Sequence, residues 1–158
     1  MANISTLIEA YSSGVKLLGD AMRSTANVDL DARPIEGKWS VREVVCHLAD
    51  SEIVYADRMK RVLAEDRPTF FEADPNLFRP ALSCPRRPLA NELDVVKAIR
   101  VHMLPILQSC DADDFQRTGV HSLDGPMTLQ TLLERITAHL PHHVAYIEEK
   151  LRAMGQPR

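Results

Sequence analysis

Four stretches of this chain place apolar residues at alternating steps of three and four, the period of one buried helix face, with irregular proline-bearing segments between them. The first runs through Ile4, Leu7, Ile8, Tyr11, Val15, Leu18 and Met22. The second presents Val44, Leu48, Tyr55, Met59 and Val62, with His47 and Ser51 beside them and Arg42, Glu43, Asp57 and Lys60 outside. The third starts near Leu89, ends near Cys110 and buries Leu93, Val96, Ile99, Met103 and Ile106, with a kink expected at Pro105. The fourth carries Leu129, Leu132, Leu133, Ile136, His139, Leu140, His143, Ile147 and Leu151. No alternating β-branched run is long enough to found a sheet, so the pattern predicts an all-α four-helix bundle.

Local signals place the ends. Ser40-Val41-Arg42-Glu43 matches a capping box, and Thr128 is a cap for the fourth helix. Pro34 and Gly37 mark Asn27–Lys38 as loop, and Asp111–Pro126 reads the same way. Pro68, Pro75, Pro80, Pro85 and Pro88 exclude a long helix between Ala64 and Pro88, a connection long enough to be a crossover or a functional loop. A short first loop makes helices one and two antiparallel neighbours, and the crossover lets helices two and three run parallel. The predicted order is up-down-down-up, with helices two and four antiparallel.

The 158 residues fit one domain spanning 1–158, without an internal repeat. A formal net charge of −3 leaves no electrostatic footprint for nucleic acid. No apolar run approaches the roughly 20 residues of a membrane span. The amino terminus lacks the basic-then-apolar pattern of a leader. Cys46, Cys84 and Cys110 are odd in number and without a CxxC pair, which argues against a disulfide framework and for the cytoplasm.

Histidine is a poor filler for a dry core, because each ring carries two nitrogens that need partners. His139 and His143, four residues apart, share one helix face, and His47 lies on the apolar stripe of another helix. If helices two and four are staggered antiparallel, all three rings meet. Three imidazoles on one ion leave a fourth position open, as in catalytic sites. The same residues also read as core histidines hydrogen-bonded to carbonyls, or to Asp50 and Tyr146. Spacing alone leaves both readings standing.

The segment Trp39-Ser40-Val41-Arg42-Glu43-Val44-Val45-Cys46-His47-Leu48-Ala49-Asp50-Ser51-Glu52 resembles the first metal-ligand helix of the DinB/YfiT-like superfamily. Leu133–Leu151, with His139, His142 and His143, resembles that family's last helix and its H-x-x-H-H element, and Arg117–Leu129 resembles the turn before it. The resemblance implies a four-helix bundle holding one divalent ion, zinc or nickel, on His47, His139 and His143. It implies metal-dependent hydrolysis or, in some relatives, thiol-dependent transfer or isomerisation. Pro141 departs from a regular ligand helix: it removes an amide and crowds the Thr137 carbonyl, so a kink, a wider site or a decayed site is expected there.

Asp50, three residues after His47, is the candidate catalytic carboxylate, orienting the ring or acting as a base, with a solvated surface carboxylate as the plainer reading. Glu52 reads as surface, Arg58 as a snorkelling arginine or a grip for an anionic substrate, and Cys46 as a small apolar residue. His142 points toward solvent or supports the site from outside, and Tyr146 either presents its hydroxyl or packs. His102 and His121 lack partners at ligand spacing, and Arg86 and Arg87 read as exposed loop. The expected substrate is an unidentified small molecule, with a thiol among the candidates, and Ala64–Pro88 is the candidate rim of its pocket. Three functions compete: a hydrolase activating water, a metal-dependent thiol S-transferase, and a non-catalytic metal-binding or dimerising bundle. An exposed helix face would serve a homodimer.

Overall fold

The Asn3 side chain accepts from the Ser5 amide and opens helix α1, Ile4–Met22. This computed structural model describes residues 3–25 and 27–155; Met1 and Ala2, where the leader was sought, and the last residues of the 1–158 domain lie outside them. Helix α2 spans Val41–Ala64 and opens on the predicted capping box: Ser40 Oγ accepts from the Glu43 amide at 3.2 Å, and Glu43 Oε2 accepts from the Ser40 amide at 2.8 Å. Strand β1, Thr69–Phe70, and helix α3, Pro75–Ala81, follow. Asp74 caps α3, and Pro75 fills its first turn, where a missing amide is harmless. Helix α4 runs Leu89–Gln108, strands β2 and β3 cover Thr118–His121 and Gly125–Thr128, and helix α5 runs Leu129–Ala153 from its Thr128 cap.

The fold is a bundle of four long helices with a small sheet and one short helix added. The expectation of a strictly all-α chain is therefore corrected. β1 pairs in parallel with β2, Phe70 opposite His121, and β2 pairs antiparallel with β3, His121 opposite Gly125. These strands have two to four residues, too few for a period-two pattern to stand out. Both stretches read as loop are thus partly ordered by pairing with each other. Gly119 makes the approach possible: a Cβ there would lie 2.3 Å from Phe70 Cε1. Pro126 is tolerated because β3 is an edge strand.

α1 and α2 each pack against α4 and α5. The consecutive helices α1 and α2 are not among the closely packed pairs, so the expected neighbour relation between them is corrected. The chain between them includes a further turn, Arg23–Thr25, and is tied down where the Arg42 amide donates to Leu30 O at 3.0 Å. The core follows the predicted stripes, with Tyr11, Leu48, Met59, Met103, Leu132, Leu133 and Ile136 fully buried. Burying each such side chain contributes about 1.5–3 kcal/mol before conformational entropy is counted. Phe70, Phe115 and Met127 extend this core beneath the sheet. Among the described residues, no helix is long and apolar enough to cross a membrane.

One polar group is built into that core. Arg100 on α4 and Glu52 on α2 are each 1 % exposed and pair at 2.6 Å. Arg100 also donates to Tyr11 O on α1 at 2.6 Å and to Ile136 O on α5 at 3.1 Å, so one guanidinium touches all four long helices. Tyr11 Oη donates to Glu52 Oε2 at 3.3 Å. Glu52 is therefore interior, against the surface expectation, because its partner comes from another helix. Its carboxyl is still pushed up by burial, against the pull of Arg100.

Candidate metal centre and its cleft

His47 comes from the second turn of α2, and His139 and His143 from the middle of α5, one turn apart on one face. Because α2 packs on α5, the three rings converge, with centroids 4.8, 4.8 and 4.4 Å apart. One nitrogen from each ring lies within 4.8 Å of the others, and the Nε2 atoms of His47 and His139 are 3.0 Å apart. Helix α5 continues through Pro141, and the pair converges despite it. The proline expected to kink the helix, widen the site or mark its decay leaves the helix uninterrupted.

Burial lowers the pKa of all three rings; neighbouring imidazoles add to it at His139, taken to about 3, and at His143, taken to about 4, while Asp50 opposes it at His47. All three are neutral at physiological pH, the state that ligates. Nδ1 of His139 and Nδ1 of His143 are buried without a partner among the described residues. Three neutral imidazoles turn acceptor lone pairs toward one point, an arrangement a shared cation would relieve; at His139 the meeting atom is Nε2. The donor set fits a divalent ion.

A cleft of about 350 Å³, the size of a small-molecule site, opens on His47 and His139. Its walls include Asp50, Ser51, Arg58, Glu72, His121 and Arg135, so residues of the small sheet and its flanks face the imidazoles. A second cleft of about 310 Å³ reaches His143 beside Trp39, Tyr146 and Lys150. The Trp39 ring meets His47 edge-on, with centroids 5.4 Å apart, under the Arg79 guanidinium. Ser51 Oγ lies 3.5 Å from His47 Nδ1.

Asp50 lines the main cleft, and both its oxygens accept from Arg87, at 2.9 and 2.8 Å. Arg87 also pairs with Glu92, so the exposed-loop reading holds for Arg86 and is corrected for Arg87. The Cys46 thiol is buried, contacts the Cys84 carbonyl at 3.8 Å and is pushed up by burial, which leaves it protonated. His142 is exposed and stacks edge-on between His143 and Tyr146.

One group was missed, and one was weighed toward the plainer of its two roles. His121, 3 % exposed, accepts at Nδ1 from the Leu123 and Asp124 amides, which puts its proton on Nε2, 3.2 Å from Glu72 Oε2. The Asp124-Gly125 pair, a hairpin-turn signature, was the available clue to that arrangement. Arg58 is 6 % exposed and faces the cleft rather than snorkelling.

The sequence model of the DinB superfamily matches residues 9–147. YfiT of Bacillus subtilis, named provisionally as a metal-dependent hydrolase, is 27% identical over 139 residues, 87% of this chain and 78% of that one. A relative in Oceanobacillus iheyensis with the same provisional description is 23% identical over 89% of this chain and 79% of its own. The solved structure of YfiT, described as a probable metal-dependent hydrolase with an unusual four-helix bundle topology, superposes with a TM-score of 0.89 at 25% identity, covering 98% of this chain and 89% of YfiT.

Proposed function

This chain belongs to the DinB superfamily, and from that premise we propose that it hydrolyses a small-molecule substrate with one divalent ion, zinc or nickel, held by His47, His139 and His143. The observation that carries the reading is the convergence of three neutral imidazoles beside a cleft of about 350 Å³. Relatives named for metal-dependent hydrolysis support the reaction class. Three imidazole donors suit zinc and nickel, and a three-ligand protein set reserves a position for water or substrate.

When bound, such an ion supplies Lewis acidity and brings the pKa of a coordinated water to about 7. The chain's own residues do the rest. Asp50, fixed by Arg87, turns its remaining carboxylate lone pairs to the cleft and would serve there as the proton acceptor. His121, held as the Nε2–H tautomer by two backbone amides, donates to Glu72 and fixes that carboxylate on the cleft wall. Trp39 and Phe78 close apolar sides of the two clefts and limit the water around the rings.

Elemental analysis of the purified protein beside His47→Ala and His139→Ala tests the ligand set. About one ion per chain is expected in the native protein and little in either variant; equal content in all three ends the reading. Asp50→Asn should keep the metal and lose about 10²–10⁴-fold in turnover on an ester and amide panel. Turnover confined to thiols paired with electrophiles would move the same site to S-transfer.

A further inference from the structure

The geometry points to Arg58 as an anion-binding subsite, so that the molecule taken by the main cleft carries a carboxylate or phosphate group. As a statement about substrate this rests on the hydrolytic reading above; as a statement about binding it stands on the chain alone.

Arg58 projects from α2 two turns and more beyond the metal-site histidine of that helix, into the same cleft. Its guanidinium lies 5.2 Å from the Tyr55 ring and 5.5 Å from the Phe70 ring. One nitrogen, Nη2, donates to the Phe71 carbonyl at 2.5 Å. Among the described residues no carboxylate lies within ion-pair distance of it; Asp124, whose pKa it helps to lower from farther off, is already paired with Arg135. The other cations of the wall are already matched: Arg79 to Glu43 and Arg135 to Asp124. Of the carboxylates, Asp50 is paired with Arg87, and Glu72, 47 % exposed, accepts from the His121 ring.

A buried cation without a counter-charge is costly, and two aromatic faces and one carbonyl offset only part of that cost. The other nearly buried arginine, Arg100, shows the usual solution, a carboxylate of the chain. Arg58 lacks one and opens instead onto a cavity sized for a ligand. A guanidinium keeps its charge at any physiological pH, and its fork suits two oxygens of one anion. The ring clamp from Tyr55 and Phe70 holds the fork in place before a ligand arrives.

Calorimetric titration with inorganic phosphate and, separately, with succinate tests this on chelator-treated protein, so that no anion is read out at a metal. Wild-type protein should bind at least one of them. Arg58→Met should weaken that binding by tenfold or more, and Arg61→Gln, an exposed charge loss on the same helix, should leave it within about twofold. Phosphate binding alone identifies a phosphate ester or free phosphate as the ligand class, and succinate alone identifies a carboxylate. Arg58→Lys keeps the stem and charge and covers the case in which Arg58→Met fails to fold: it should bind more weakly than wild type, because a point charge lacks the fork. No binding of either anion to wild type, or equal binding by the Arg58 variants, overturns the inference. Absence of metal from the native protein would instead sink the hydrolytic reading and leave this result intact.

Discussion

Arg100 Nη2 and Glu52 Oε1 meet at 2.6 Å in the centre of the bundle, forty-eight positions apart in sequence and each 1 % exposed. Removing one partner strands the other charge in the core. Glu52→Leu or Arg100→Met alone should each cost about 3–5 kcal/mol, and the double replacement should cost less than the sum. Urea unfolding of the three variants measures the cycle; additive single effects would show that the two charges do not depend on each other.

Gly14 is a helix-interior glycine whose replacement by alanine would ordinarily gain up to about 1 kcal/mol. Here an added Cβ would stand 2.3 Å from Arg100 Nη1 and 3.6 Å from Leu140. The guanidinium is held by Tyr11 O, Glu52 and Ile136 O and has little room to yield. Gly14→Ala should destabilise by about 1–3 kcal/mol, the range for overpacking. A raised Tm would mean that Arg100 moves freely.

Stability of the metal-free protein should fall on acidification. Burial, reinforced by neighbouring imidazoles, takes His139 to about 3 and His143 to about 4, against 6.5 for an unperturbed histidine. Below pH 6.5 the unfolded chain binds protons that the folded chain refuses. This contribution is complete above that pH and is lost as the pH falls from there toward 4. Denaturant melts from pH 7.5 to 4.5 on chelator-treated protein should show the decline, and His139→Leu with His143→Leu should flatten it. An unchanged slope in the double variant would place the titration elsewhere.

Lys150 is 2 % exposed, and among the described residues its ammonium donates only to the Tyr146 carbonyl at 3.2 Å, 5.4 Å from that residue's ring centre. Burial lowers its pKa. Lys150→Met preserves the stem and removes the desolvated charge, so it should stabilise by about 1 kcal/mol or more. A lower Tm in the variant would show that the ammonium holds the end of α5 in place.

Asp50 and Arg87 form a fork-to-fork pair on the cleft wall. Arg87→Lys keeps the charge and loses the second parallel hydrogen bond, so carboxylate orientation should relax. Turnover should drop about tenfold or more in kcat with bound metal unchanged. A change confined to KM would make the pair part of substrate binding instead.

The four long helices were legible because their signals are local. Stripe periodicity, the Ser40–Glu43 box and the Thr128 cap each need only neighbours within a few residues. The His139/His143 pairing was legible for the same reason, since four residues return the chain to one face. The sheet was not, because its strands have only two to four residues and β1 is held by a partner about fifty positions away, Phe70 with His121. Arg58, Arg87 and Glu52 were misplaced on similar grounds. Charge alone reads as surface until a partner or a cavity is known, and theirs come from other elements.

By itself, then, the order of residues settled which segments coil, where they start and which faces they must hide, because hydrogen bonding and side-chain spacing within a helix act over one turn. Only the packed chain decided that α2 lies against α5, that the third imidazole completes the cluster, and that the connecting segments wall a cleft beside it. Those outcomes depend on contacts between residues far apart along the chain, selected by the shape and burial of whole elements, and no short window of sequence contains them.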